Sequence, residues 1–478
     1  MFFFKSTKYI PNILYLCTRM DNKKATLELG TKPVGHLLYQ YALPAIIAMV
    51  ASSLYNIIDR IFIGQYVGPD AIAGLAITFP FMNLGAAFGA GVGVGASTAI
   101  AVKLGQKDYL TAENILGNTV TLNLIIGIGY SIVGFLFLDP ILRFFGASDA
   151  TLPYAREFMQ IILLGNVITH MYFGMNAVLR AASKPRQAMN ATIFTVMMNI
   201  ALDYLFIVLL HWGIRGAATA TVISQSLALC YQMHLFSDKS QLLHLKHGIY
   251  KLKSHLVKNI LAIGISPFLM NTCACLVVIL VNNQFVRYGG DMAVASYGIS
   301  NSFATVFVMF MIGLNQGMQP IAGYNYGAQK IDRLLRVYHI AITAATIIMI
   351  IGWIPAMLFP RQIARLFTTD QTLITMCVQA IHCNMIMFPI IGFQMVTTSF
   401  FQCIGKVKIS IFLSLSRQLL VLIPLLVIFP LFWGLDGVWA AIPTSDATAA
   451  VMAFVVATVY MKRFKRQLSN QNNYGTTE

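Results

Sequence analysis

Apolar runs of about 20 residues recur along nearly the whole length of this chain, and each is long enough to cross a bilayer as a helix. No stretch between them is long enough to build a soluble domain. Apolar residues make up 57% of the chain and charged residues only 10%, with a mean hydropathy of +0.70. The 478 residues therefore read as one helical membrane body rather than several soluble domains. Pattern and helix breakers predict twelve spans, at 37–63, 71–102, 114–138, 154–179, 188–210, 216–236, 256–286, 292–323, 335–359, 374–402, 409–432 and 437–461. The expected class is an all-α polytopic membrane protein.

The net charge of +16 suggests nucleic acid as a partner, but the distribution of charge argues against it. Lys and Arg sit in short loops between apolar spans. With the amino terminus placed in the cytosol, twenty-five fall on the cytosolic side and six outside. This is the positive-inside pattern, and it puts both termini in the cytosol. The expected surroundings are a lipid bilayer and small molecules, with no nucleic acid. The first nineteen residues resemble a weak signal sequence without a long apolar core or a cleavage site. The segment from Met20 reads like a natural cytosolic start. The seven cysteines form no CxxC pair and no metal-spaced cluster with His, and read as small buried residues.

The chain also repeats itself. AIAGLAI (71–77) matches AVASYGI (293–299), and the glycines of 91–105 fall on those of 313–327, both at an offset of 222 residues. RAASKPR (180–186) matches QCIGKVK (402–408) at the same offset, and WGIRGA (212–217) matches WGLDGV (433–438) at 221. Each half holds six spans, so the halves keep the same orientation. Parallel halves of this kind frame a central cleft and rock between states open to either side. The division expected is an N-terminal arm (1–33), a first lobe (34–236), a linker (237–255), a second lobe (256–462) and a C-terminal tail (463–478). The duplication favours a transporter over a channel or a membrane-embedded enzyme, and no catalytic constellation such as HExxH is present.

Two acids lie deep in apolar spans, Asp59 in the first and Asp203 in the fifth. An ionised carboxylate in hydrocarbon costs roughly 2.5–3.5 kcal/mol by insertion scales, so it persists where it faces a cavity or does work. Counting along the spans places both at similar depth toward the outer side. Asn199 lies one turn before Asp203 and Tyr55 one turn before Asp59, each on the same helix face. Two carboxylates, an amide and a phenol at one level predict a pocket for a proton or cation. Arg60 points away from its neighbour Asp59 and is expected to snorkel to the outer interface. The second lobe has no counterpart acids in its seventh and tenth spans. Its buried acid is Asp446, with Arg417 the nearest intramembrane countercharge. That pair reads either as a structural bond or as a second transport element. His170 reads as a hydrogen-bonded packing residue. The small residues of GAAFGAGVGVGAS (85–97) predict close helix packing rather than a nucleotide loop. A cleft lined by some of the 24 Met and 32 Phe suits varied apolar cations.

These pieces carry a resemblance. LPAIIAMVASSLYNIIDRIFIG in the first span, GVGVGAS with LGQKD, MNIALDYLFI in the fifth span and GIRGAATATVISQ in the sixth resemble the multidrug and toxic compound extrusion (MATE) family. The resemblance covers residues 34–462. It implies two six-helix bundles around a V-shaped cleft, and an antiporter in a bacterial plasma (inner) membrane. Such a protein exports amphipathic, mostly cationic compounds in exchange for H⁺ or Na⁺ and works as a monomer. It would have no resident cofactor beyond that coupling ion. In the DinF-like branch, the first-span Asp and the fifth-span Asn and Asp line a cation site, and these positions fall on Asp59, Asn199 and Asp203. A Tyr and a sixth-span Thr of that site fall on Tyr55 and Thr221. The missing acids in spans seven and ten depart from the NorM-like branch and favour the DinF-like one. A lipid-linked saccharide flippase of related fold is the alternative, disfavoured by the few basic residues within the spans.

Overall fold

The computed structural model describes residues 26–475. The reading of Met20 as the start, the signal-like first nineteen residues, Cys17 and the basic residues before residue 26 lie outside the described residues.

Among the described residues every regular element is helical. The first half holds α1 (Val34–Tyr66), α2 (Pro69–Gly105), α3 (Tyr109–Leu136), the short α4 (Leu138–Phe144), α5 (Leu152–Ala181), α6 (Pro185–Asp203) and α7 (Ile214–Ser237). The second half holds α8 (Ser254–Gly327), α9 (Ile331–Leu358), the short α10 (Pro360–Arg365), α11 (Gln371–Met385), α12 (Phe388–Cys403), α13 (Val407–Leu415) and α14 (Ile423–Gly475). Two π-helical segments, Tyr204–Leu209 after α6 and Ser416–Leu422 after α13, carry those helices onward. Helix is the expected outcome, because backbone groups in hydrocarbon must find partners within their own segment.

The 74 residues of α8 would extend about 110 Å if straight, several times the hydrocarbon thickness. Gly290, at φ 65°, breaks it into two spans, and Gly434, at φ 54°, divides α14 in the same way. The tenth span is bent by 43° between α11 and α12. Pro389, at the start of α12, has no N–H to continue the ladder across that break. Counted this way the helices form twelve spans. Where loops were expected at 287–291 and 433–436, the chain turns at a single left-handed glycine.

The duplication is written into the backbone as well as the residues. Left-handed residues recur in pairs: Gly68 with Gly290, Lys107 with Gln329, and Ser183 with Gly405 are each 222 apart. Gly213 and Gly434 are 221 apart.

Packing separates the two ends of the bundle. At the end bearing residues 26–33 and the close of α14, called the terminal end below, one apolar core spans both halves. It joins Leu37, Leu38 and Tyr41 to Leu314, Met318 and Ile321. At the distal end the cores are separate. Ile63, Leu75 and Phe158 belong to one, in the first lobe, and Val281, Phe285 and Trp439 to the other, in the second. The result is a V: two six-helix lobes, joined at the terminal end and parted distally.

Small residues make that joint possible, as the glycine run predicted. A Cβ on Gly95 would lie 2.1 Å from Ile260 O, and one on Gly264 2.3 Å from Gly91 O. The other face of the same helix is also close, with a Cβ on Gly93 3.0 Å from Gly174 Cα.

Two polar straps cross the joint in opposite senses. The segment before α1 docks on the second lobe. There Asn325 Nδ2 donates to Leu29 O (3.0 Å), Lys330 Nζ to Gly30 O (2.7 Å), and Arg333 to Leu29 O, Thr31 O and Lys32 O. The linker before α8 docks on the first lobe's α3. Asn118 Nδ2 donates to Ile249 O and Lys251 O, and Asn118 Oδ1 accepts from Lys253 N at 2.9 Å. Buried Glu113 pairs with Lys246 and, at 3.4 Å, with His244.

Candidate functional site

The first-lobe pocket is assembled by three helices. α1 supplies Tyr55 and Asp59, α6 supplies Asn199 and Asp203, and α7 supplies Thr221. Asn199 and Asp203 are almost wholly buried, at 1% and 0% exposure, while Tyr55 and Asp59 are half-buried. Asn199 Nδ2 donates to Thr221 Oγ1 at 3.4 Å. Asp203 interacts electrostatically with Asp59, and Tyr55 with both carboxylates and with Tyr172 of α5. The five residues singled out from the sequence are thus brought to one place.

Four of the pocket's oxygens are unpartnered. Among the described residues, Asp59 Oδ1, Asn199 Oδ1 and both carboxylate oxygens of Asp203 are buried and accept no hydrogen bond. Buried acceptors are normally satisfied, and leaving several so is costly. Four such oxygens on three side chains are of the donor type that a hard cation, or a proton shared between acids, would take. Arg60 forms no ion pair or hydrogen bond with the site, although its charge acts on Asp59. It is exposed, with its guanidinium 5.5 Å over the Phe79 ring.

Asp203 is the last residue of α6 before the π-helical segment Tyr204–Leu209. The wider turn is held by stacking of Phe206 on Trp212, with centroids 4.8 Å apart at 6°. Single π turns occur in helices chiefly at functional sites.

In the second lobe, Arg417 Nε lies 2.7 Å from Asp446 Oδ1, and Ser445 Oγ donates to Arg417 O. Arg417 sits in the other π-helical segment. This pair is remote from the first-lobe pocket in the fold and belongs to the other lobe. His170 is fully buried against Gly89, with its ring centroid 6.2 Å from that of Tyr130. The polar group its ring meets is the backbone of Gly85. Tyr172 escaped the sequence reading. A phenol two residues beyond His170 on an apolar helix was the available signal.

The MatE family model matches residues 44–205 and 263–428, one segment in each lobe. The chain belongs to the MatE family. Among its relatives is the multidrug export protein MepA of Staphylococcus haemolyticus, 28% identical over 422 residues, covering 88% of this chain and 92% of that protein. MepA of Staphylococcus aureus is 27% identical, covering 90% of this chain and 94% of its own. Solved structures agree. An outward-facing multidrug resistance MATE transporter of the MOP superfamily superposes with a TM-score of 0.87 at 26% identity, over 92% of this chain and 98% of that one. A MOP superfamily transporter from Pyrococcus furiosus, whose binding pocket is described as reversed in polarity, gives 0.86 at 26% identity over the same shares. This MatE protein is a multi-pass membrane transporter and not an enzyme.

Proposed function

We propose that this protein is a multidrug exporter of a bacterial plasma membrane that exchanges amphipathic, mostly cationic compounds for H⁺ or Na⁺. The observation that carries the reading is the set of unpartnered oxygens on Asp59, Asn199 and Asp203, deep in the first lobe. The relatives' names support multidrug export, and the charge asymmetry of the loops supports an orientation with both termini cytosolic.

In this reading the lobes, joined at the cytosolic end and parted distally, hold the distal-open state. A coupling cation enters from outside and is held by Asp59, Asp203 and the Asn199 carbonyl oxygen, with Thr221 orienting the amide. Neutralising two facing carboxylates removes their repulsion and the demand for a positive partner. A cationic substrate held by the same charge is released. Rocking to the cytosolic side discharges the ion and renews the affinity for substrate. Each charge moved across the membrane contributes about 2.3 kcal/mol per 100 mV.

The test is efflux of a fluorescent cation from reconstituted vesicles, first under an imposed pH gradient and then under an imposed Na⁺ gradient. Asp59→Asn and Asp203→Asn are expected to abolish gradient-driven efflux while leaving expression intact. Undiminished efflux in both variants rejects the coupling role.

A further inference from the structure

The close of α14 carries a dense group of uncompensated cations. Residues 461–475 include no Asp or Glu, and Lys462, Arg463, Lys465 and Arg466 are all exposed. Among the described residues none of the four forms an ion pair, whereas Lys103, Lys246 and Arg336 at the same end pair with Asp108, Glu113 and Asp332. Arg463 lies over the Tyr460 ring, 5.1 Å from its centroid, a contact that leaves the N–H edge available. At the repeat offset of 221, residues 462–466 fall on QLLHL (241–245), without Lys or Arg, so the group belongs to the second lobe alone.

The helix fixes where these charges point. Ala453, Ala457 and Phe464 are buried in the core that joins the lobes, and Leu468 packs against it. On the opposite face Val451, Val455 and Val459 are exposed. The lobes are joined at this end, so an exposed face here looks outward to lipid and not into the cleft. Lys462 and Arg466 continue the valine face, three and seven residues beyond Val459. Depth follows from the rise per residue. Exposed Asp436 marks the water-facing boundary at the distal end. Lys462 and Arg466 lie about 39 and 45 Å farther along the axis. A bilayer measured through both headgroup layers is about 40–45 Å thick. The two cations are therefore level with the phosphates of the leaflet at the terminal end. The turn between α12 and α13 adds to them. Ring centroids of Phe401 and Tyr460 are 5.2 Å apart, which brings exposed Lys406 and Lys408 alongside α14 at the same level.

We propose that the close of α14, with the α12–α13 turn, is a binding surface for anionic phospholipids. Charge and depth set the occupant. Uncompensated cations at phosphate level, below a strip of exposed valines, fit a diacyl anion whose chains lie along Val451, Val455 and Val459 and whose phosphate meets Lys462 and Arg466. The inference rests on the orientation in the exporter reading only for which leaflet this is, namely the cytosolic one.

The experiment gives the full-length protein, in neutral detergent, equal amounts of phosphatidylglycerol and phosphatidylcholine with matched chains, and counts bound lipid by native mass spectrometry. Wild type is expected to retain the anionic lipid preferentially. Each cation near an anionic surface contributes about a fivefold preference, so Lys462→Gln with Arg466→Gln should lower it about 25-fold. Lys462→Arg with Arg466→Lys keeps both charges and should keep the preference. Lys239→Gln with Lys251→Gln removes the same net charge from the exposed linker and should leave it unchanged. Equal retention of the two lipids by wild type overturns the proposal, as does an undiminished preference in the α14 variant. An equal loss in the linker variant overturns it too, by reducing the effect to net charge. Displacement of the lipid by excess soluble glycerol phosphate would make the surface a site for free phosphate and not for lipid. Micelles have no sides, so these results stand apart from the orientation, which fails if a membrane-impermeant maleimide labels Ser469→Cys, in a cysteine-free background, in intact cells.

Discussion

Arg333→Ala isolates the first strap. Arg333 donates to Asn325 Oδ1 at 3.1 Å within its own lobe, and to Lys32 O, Leu29 O and Thr31 O of the opposite arm at 2.6, 3.2 and 3.4 Å. Hydrogen bonds to a charged group contribute about 1.5–3 kcal/mol each when desolvated. Only the first of the three across the joint is short, and the guanidinium is partly open to water. The strap's share through Arg333 is therefore about 2–3 kcal/mol in total, present only while the terminal end is shut. Removing it shifts the ratio of shut to open by about 30- to 150-fold. A protein that is roughly 99:1 shut would become nearly evenly divided. Spin labels at exposed Leu110 of α3 and Asp332 of α9, in a cysteine-free background, report the separation of the two lobes at that end by pulsed electron resonance. The expected result is a second, longer distance in Arg333→Ala, with the short one restored in part by Arg333→Lys. An unchanged distance distribution in Arg333→Ala refutes the assignment of the strap as a closure element.

Gly95→Val places a branched side chain where a Cβ alone would come within 2.1 Å of Ile260 O. The lobes then cannot meet at the terminal end, and the same labels should show the open distance in most molecules, with efflux lost; a normal short distance contradicts the packing. Lys184, in the turn before α6 and outside the membrane, is lowered by burial to about 8. More of it is neutral at mildly alkaline pH than an ordinary lysine near 10.4. Acylation followed by mass spectrometry should therefore give a half-maximal rate near pH 8 at Lys184, and a profile like that of the other lysines refutes the shift.

The spans, the duplication and the small-residue face were legible because each is a pattern repeated over many residues. Asp59 and Asp203 stood out for the complementary reason, since a charge in an apolar run is rare and easily seen. Tyr172 was missed because one phenol on a helix is ordinary until its neighbours are known. The two π-helical segments have no local signal in YLFIVL or SRQLLVL; packing against adjacent helices sets them. Lys330 and Arg333 were legible only as charges marking one side of the membrane. Their role as donors to carbonyls three hundred residues earlier depends on how the lobes come together.

The crossing straps also bear on how the molecule is made. Leu29, Gly30, Thr31 and Lys32 leave the ribosome early, yet their partners on α9 are translated about three hundred residues later. This segment has nothing to settle on until eight of the twelve membrane passes have been made. The linker meets α3 far sooner, because α3 is already in place when residues 246–253 emerge. Assembly is thus ordered in time: one clasp fastens midway through synthesis, and the other draws the earliest residues down onto the later half as the closing step.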